Sequence, residues 1–280
     1  MTQLPTEGLL FDVPVPPTPV ERLLVLAGHF TRHNDALDLL PASSARPDLE
    51  AHAASTRHLA DQTRAAIKAI NDQQLYASTE LIDAVVRLKQ LAYLSDAAAR
   101  HLTDTATVPP ALAPVTDGEL ADVPAAVPGR ITLARELTAL APEAAVESAT
   151  RIAREIRRRR PPTATTAVEL TALQYSALQE IVRGHIAVAE SLGRQYVHSR
   201  DTRVLVSTLR SLEAKGLITR EAKSAPPAYY GGPPPDRIRL TTLGTTALAA
   251  RIGLTPAAPA APATAVRPAP TPPSPARARR

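Results

Sequence analysis

Three side chains between residues 201 and 215 have the types and spacing to engage a polyanion. On a helix of 3.6 residues per turn, Arg203, Ser207 and Arg210 fall within about 60° of one another. Leu205, Leu209 and Leu212 line the opposite face. Exposed guanidiniums can bond the edge of a guanine in pairs, and arginines and hydroxyls can hold phosphates. Arg200, Lys223, Arg237 and Arg239 add positive charge to either side in sequence, and Tyr229 and Tyr230 offer rings and hydroxyls to a phosphate backbone. Other chemistry finds less support. His29 and His33 are four apart, a possible metal pair, but no third ligand stands at plausible spacing and cysteine is absent. Ordinary helix-surface histidines are the expectation, with no metal and no cofactor. No phosphate-binding glycine loop, nucleophile elbow or paired-carboxylate motif occurs, so an enzyme is not expected.

These basic residues must be positioned by helices and strands with readable ends. In "LTALQYSALQEIV", Thr171 is a helix N-cap and Gln174 stands at N3, a capping box, with Leu170 and Tyr175 placed as its hydrophobic staple. Gly184 ends that helix. Asp201 is a good N-cap for a helix running to Lys215. Gly216 then occupies the left-handed stop position, and Leu217 can pack back on Leu212. "LITRE" reads as a strand, a loop from Ala225 to Pro235 follows, and "RIRLT" returns as its partner. "TTLGTTALAAR" is a final helix capped by Thr241 or Thr242. Between Gly184 and Asp201 two readings stay open: a hairpin turning at "SLGR", or a short helix across Glu190 to Val197.

"LTALQYSALQEI", "VSTLRSLEAKGLITRE" and "DRIRLTTLGTTAL" together resemble the first helix, recognition helix and wing of MarR-like winged-helix DNA-binding proteins, over about Leu170 to Ile252. The resemblance implies a recognition helix in the major groove and a hairpin wing on the neighbouring backbone or minor groove. Carried over by position, Arg203, Ser207 and Arg210 would face DNA, with Arg237 and Arg239 on the wing strand. The family's short second helix has no clear counterpart in residues 185–200.

The remainder reads as helices and proline-rich connections. Residues 1–17 form a tail, and residues 18–104 a helical module. Its first helix opens on Thr18, Pro19 and Glu21, its second runs from near Pro47 to about Asn71, and its third from about Ser78 to Leu102. Residues 105–128 look like a Pro/Ala linker. Residues 129–160 are helical and end in "REIRRRRPP", either a solvated helix end or a phosphate-contacting patch. Residues 161–169 link to the winged unit at 170–254, and residues 255–280 form a disordered Pro/Ala/Arg tail. "EGLLFDVP" (Glu7 to Pro14) resembles the peptides that bacterial proteins dock on the replication sliding clamp, with Glu7 where Gln is usual. An apolar tail packed on the bundle is the alternative.

Charge divides unevenly along the chain. Residues 1–128 carry 9 Lys/Arg against 16 Asp/Glu, and residues 129–280 carry 23 against 11. A basic C-terminal half suggests a polyanion partner, although 28 of the 32 basic residues are Arg, as coding bias would also produce. No segment of about 20 apolar residues could span a bilayer and no signal peptide is apparent, so a cytoplasmic, nucleoid-associated protein is expected. The fold expected is mainly α: a bundle or coiled helices, dimeric through the N-terminal helices, followed by a winged helix-turn-helix with a small β-hairpin wing. Duplex DNA is the expected partner, in a regulator of transcription or a plasmid or phage DNA-organising factor. The alternative is an interaction scaffold whose winged helix binds protein; a ligand-sensing repressor finds no aromatic cluster to line a cavity.

Overall fold

Thr18 starts the first helix as its sequence requires. Its hydroxyl accepts the Glu21 N–H, the Glu21 carboxylate accepts the Thr18 N–H at 2.8 Å, and Pro19 fills the first turn. The computed structural model describes residues 16–40, 48–75, 77–106, 123–159, 168–200, 202–229 and 231–254; of residues 123–128 it gives the backbone only. Among them are eight helices and four strands: α1 (Pro19–Asp38), α2 (Leu49–Asn71), α3 (Thr79–Ala106), α4 (Val123–Thr138), α5 (Ala141–Arg159), α6 (Ala172–Val182), β1 (Ala187–Ser191), β2 (Arg194–His198), α7 (Val206–Ala214), β3 (Ile218–Glu221), β4 (Asp236–Leu240) and α8 (Thr242–Arg251). The fold is mainly helical, with one small antiparallel sheet in the order β2-β1-β4-β3.

Helix α1 is the central post. Leu23, Leu24, Ala27 and Phe30 are wholly enclosed, and His33, Asn34 and Asp35 are buried on its second half. A helix enclosed on most sides must be surrounded, and α1 packs on α2, α4, α5, α6 and α8. One apolar core therefore runs from Val20 to Ile252, through the N-terminal helices and the C-terminal unit alike. A smaller cluster of Leu37, Leu49, Ala53, Ala98, Leu102 and Ala134 closes the far end of the bundle. The stretch expected as linker over 105–128 is partly helical. α3 continues to Ala106, and α4 already begins at Val123, with Pro124 at its second position, where a missing N–H leaves no ladder bond unmade. The sliding-clamp-like segment Glu7 to Pro14, the tail from Thr255 and residues 107–122 lie outside the described residues.

The arginine run closing α5 is only partly turned inward: Arg157 is half-buried, while Arg158 and Arg159 are exposed and paired with acids. Arg157 donates to the carbonyls of Ala249, Ala250 and Ile252, neutralising the negative end of α8. Arg158 bonds Glu80 at 2.9 Å, and Arg159 bonds Glu155 at 2.7 Å. Arg160 falls outside the described residues. The expected surface histidines are also corrected in part. His29 bonds Gln62 at 2.8 Å, but His33 is buried between Ser55 and Thr56, at 3.2 and 3.1 Å. Burial, with His52 and Arg135 nearby, pushes its pKa down to about 4. Among the described residues no cluster of ligands could hold a metal ion, and no helix is long and apolar enough to cross a membrane.

Helix stops in the C-terminal unit follow the sequence closely. Thr171 and Gln174 form the capping box of α6. Gly184, at φ 80°, ends it with the Gly184 N–H on Ile181 and the His185 N–H on Glu180, a Schellman stop. Gly216, at φ 67°, ends α7 the same way: its N–H bonds Glu213, and the Leu217 N–H bonds Leu212 at 3.0 Å. Leu212 and Leu217 are both enclosed. Thr241 caps α8, and its own N–H reaches the Leu217 carbonyl at 3.0 Å.

That approach leaves no room at Gly244, where a Cβ would stand 1.9 Å from the Leu217 carbonyl oxygen. Gly244→Ala is therefore expected to lower stability by about 2–4 kcal/mol; an unchanged denaturation midpoint would show that α8 can shift. For His33 the unfolded imidazole takes its proton near pH 6.5 and the folded one only near 4. The unfolded state thus binds more protons between those values, and stability present above pH 6.5 is lost as pH falls toward 4, by up to about 3 kcal/mol. Thermal melts at pH 7 and 4.5 should show a drop that His33→Gln reduces.

Candidate nucleic-acid interface

Helix α7 is shorter than its sequence suggests. It begins at Val206, with Leu205 as an N-cap that makes no side-chain bond; Asp201, the expected cap, is outside the described residues. Leu205 is 49% exposed, so it does not share the buried face of Leu209 and Leu212. Arg203 precedes the helix in an extended approach, while Ser207 and Arg210 stand one turn apart on it. All three are exposed. The structure brings Ser207 and Arg210 onto one face and holds Arg203 at its mouth.

Residues 185–200 form the hairpin, not the short helix. β1 and β2 pair from Ala187↔His198 to Ser191↔Arg194. The connection is Leu192 and Gly193 at φ 51° and 69°, the two left-handed residues of a type I′ turn. Gln195 on β2 accepts from Arg210 at 3.3 Å, which ties the hairpin to α7. Arg194, Tyr196 and His198 alternate along β2 and are exposed. Sequence reasoning left these three out of the site. The signal available was the two-residue pair Leu192-Gly193 between alternating segments, which a helical reading of the same stretch obscured.

The strand β4 overturns the expectation for two arginines. Arg237 and Arg239, placed on a DNA-facing wing strand, are each only 8% exposed. They point to α1, where Arg237 grips Asp35 with two bonds, Nε at 2.9 Å and Nη2 at 2.5 Å, and Arg239 approaches it at 3.4 Å. Arg237 also donates to the Gly184 carbonyl at 2.7 Å. Arg239 bonds Glu221, which Arg32 of α1 meets at 3.4 Å. Burial pushes the Asp35 carboxyl above its ordinary value, and the two guanidiniums pull it back. The reason for the correction is the topology. β4 is an inner strand, with Ile238 on the core side and Arg237 and Arg239 toward α1. No face of it is left for a ligand.

The remaining predicted residues are dispersed. Arg200 is exposed and lines a cleft of about 310 Å³ with Asp35, Asp38, Arg135 and His185, on the α1 side. Lys223 begins the β3–β4 loop at φ 51°, and its N–H bonds the Asp236 carboxylate at 2.9 Å. Tyr229 is 68% exposed, and its ring lies so close over Gly232 that a Cβ there would meet it at 2.8 Å. Tyr230 is outside the described residues. What the arrangement offers chemically is a cationic, hydrogen-bonding face built from α7, its approach and the hairpin. Compared with known proteins, the chain matches no family model, no curated protein and no solved structure.

Removing the acid at the centre of the arginine network separates structural from exposed charge. Asp35→Asn leaves Arg237 buried without its counter-charge and is expected to cost about 3–5 kcal/mol. Arg203→Ala and Arg210→Ala should each change stability by less than about 0.5 kcal/mol. Urea midpoints measure both, and a mild Asp35→Asn would show the pair to be dispensable.

Proposed function

We propose that the chain binds duplex DNA through the face around α7, as a regulator of transcription or a DNA-organising factor. The observation that carries the proposal is where uncompensated charge remains. Many of the other arginines are met by carboxylates or carbonyls, as at Arg87 with Glu147, Arg135 with Asp38, Arg157 with α8 and Arg237 with Asp35. Arg194, Arg200 and Arg203 have no carboxylate partner among the described residues, and Arg210 meets only an amide. Positive charge left open beside an exposed helix is the electrostatic footprint of a phosphate-binding surface.

The element order supports a winged-helix reading. A helix (α6) precedes a strand (β1), then come a helix (α7) and two strands (β3, β4), with β4 between β1 and β3. β2 stands where the MarR-like pattern has its second helix. In this reading Ser207 and Arg210 meet base edges, Arg203 and Arg194 meet phosphates, and Lys223 and Tyr229 reach the backbone from the β3–β4 loop. Arg237 and Arg239 have no part in it. A homodimer through the N-terminal helices would pair two such faces, and α3 keeps Ile82, Val86 and Tyr93 exposed along one side. That same stripe supports the second reading, a scaffold that binds protein.

Fluorescence anisotropy of the full chain on random-sequence duplexes across a salt series decides between them. The expected result is affinity that falls linearly in log–log with salt, with a slope shallower by about 1 in Arg203→Ala/Arg210→Ala, from the phosphate contact of Arg203. No binding at low salt would end the DNA reading and leave the scaffold.

A further inference from the structure

The β1–β2 hairpin has a shape that the fold itself does not require. Only Ala187 and Val188 of β1 pair with β4. The three outer pairs, Ala189↔Tyr196, Glu190↔Gln195 and Ser191↔Arg194, extend past the sheet as a two-stranded arm. At about 3.4 Å per residue the arm projects roughly 10 Å. Its burial fades outward, with Ala187 and Val188 buried and Glu190 and Ser191 exposed.

Its tip carries an unsuitable residue for a turn. Both central positions of a type I′ turn need φ above zero, which favours Asn, Asp or Gly first and Gly second. Here Leu192 takes the first position at φ 51° and is 98% exposed. A γ-branched apolar side chain in a left-handed conformation, wholly in water, is unfavourable on both counts. Nothing among the described residues repays it, because Leu192 stands almost wholly in solvent. Positive charge gathers next to the tip. Arg194 follows it directly on the outward side of β2, and Arg210 is bonded to Gln195 on the opposite side. The acid on the arm, Glu190, stands across from Gln195 on the α7 side, so the outward side presents Arg194, Tyr196 and His198.

We infer that the β1–β2 arm is an insertion element that wedges Leu192 between base pairs of duplex DNA, an inference resting on the DNA-binding reading above. Apolar side chains inserted from the minor groove partly unstack a base step and kink the duplex. A minor groove roughly 7.5 Å deep is within the reach of the arm. Arg194 holds a phosphate beside the opened step, and Leu192 exchanges its water shell for base faces. The exposed leucine then has a use, and the short third-strand contact at the base of the arm leaves the tip clear of the protein.

The test compares the full chain with Leu192→Asn, which suits the turn and removes the wedge, and with Arg203→Ala/Arg210→Ala. The probes are random-sequence duplexes of about 30 base pairs, with end-labelled dyes to read bending or 2-aminopurine at pyrimidine–purine steps to read unstacking. The wild-type chain should shorten the end-to-end distance and brighten 2-aminopurine. Leu192→Asn should lose both signals and about tenfold in affinity, the burial of one leucine, with an equal or higher melting temperature. The arginine double variant should lose affinity and salt dependence but still bend the DNA it binds at saturation. If wild-type chain binds without bending or unstacking, or if Leu192→Asn bends as well as wild type, the insertion is wrong and the DNA reading stands. If wild type binds no duplex at low salt, both fall together.

Discussion

A single carboxylate in the last turn of α1 holds two guanidiniums that arrive from a strand two hundred residues later. Arg237 and Arg239 lie on one side of β4 and Ile238 on the other, so the strand is enclosed between α1 and the apolar core. Side chains alternate along a strand, and a slip of one residue would drive both guanidiniums among leucines and leave Asp35 facing Ile238. Buried ion pairs contribute little net stability when complete, because desolvation offsets attraction, yet they are costly to break. The Asp35 network therefore acts as a register mark. It sets β4, and β4 in turn sets β1 and β3 on either side. The arm and α7 inherit their positions from that choice.

The same network changes what the uneven charge of the chain means. An acidic first half and a basic second half suggest an outside polyanion, yet part of the opposition is resolved inside. Asp38 meets Arg135, Asp83 meets Arg151, Glu80 meets Arg158 and Asp35 meets Arg237. The N-terminal helices supply much of the anion that the C-terminal arginines need. Net charge by halves is therefore a poor guide to a binding surface. The informative quantity is the charge left over after folding, and Arg194 on β2 with Arg200, Arg203 and Arg210 around α7 carries part of it.

Local signals in the sequence translated well. The caps at Thr18 and Thr171 and the glycine stops at Gly184 and Gly216 each depend on a few neighbouring residues, and each formed as its residue types demand. The apolar stripes of α2 and α3 were equally legible through Leu59, Ala66, Leu81 and Leu88. What failed were inferences that needed tertiary knowledge. Arg237 and Arg239 look like surface residues until Asp35 is known to face them. His33 looks like a solvated helix residue until α2 covers it. The start of α7 was misplaced because an attractive cap at Asp201 says nothing about where Leu205 points. The hairpin was ambiguous because alternation over five residues on each side of a turn also fits a short helix.

Because β1 is tied to the sheet by only two residues, the outer part of the arm is mechanically a separate lever. Adding or removing residues in opposed pairs at its end preserves the inward and outward sides of both strands and touches no core contact. The enclosed helices tolerate no such change, since one residue more in α1 rotates Asp35 away from its arginines by about 100°. Variation in reach is thus cheap at the arm and prohibitive at the post, and a molecule built this way can alter how far it extends without relearning how to fold.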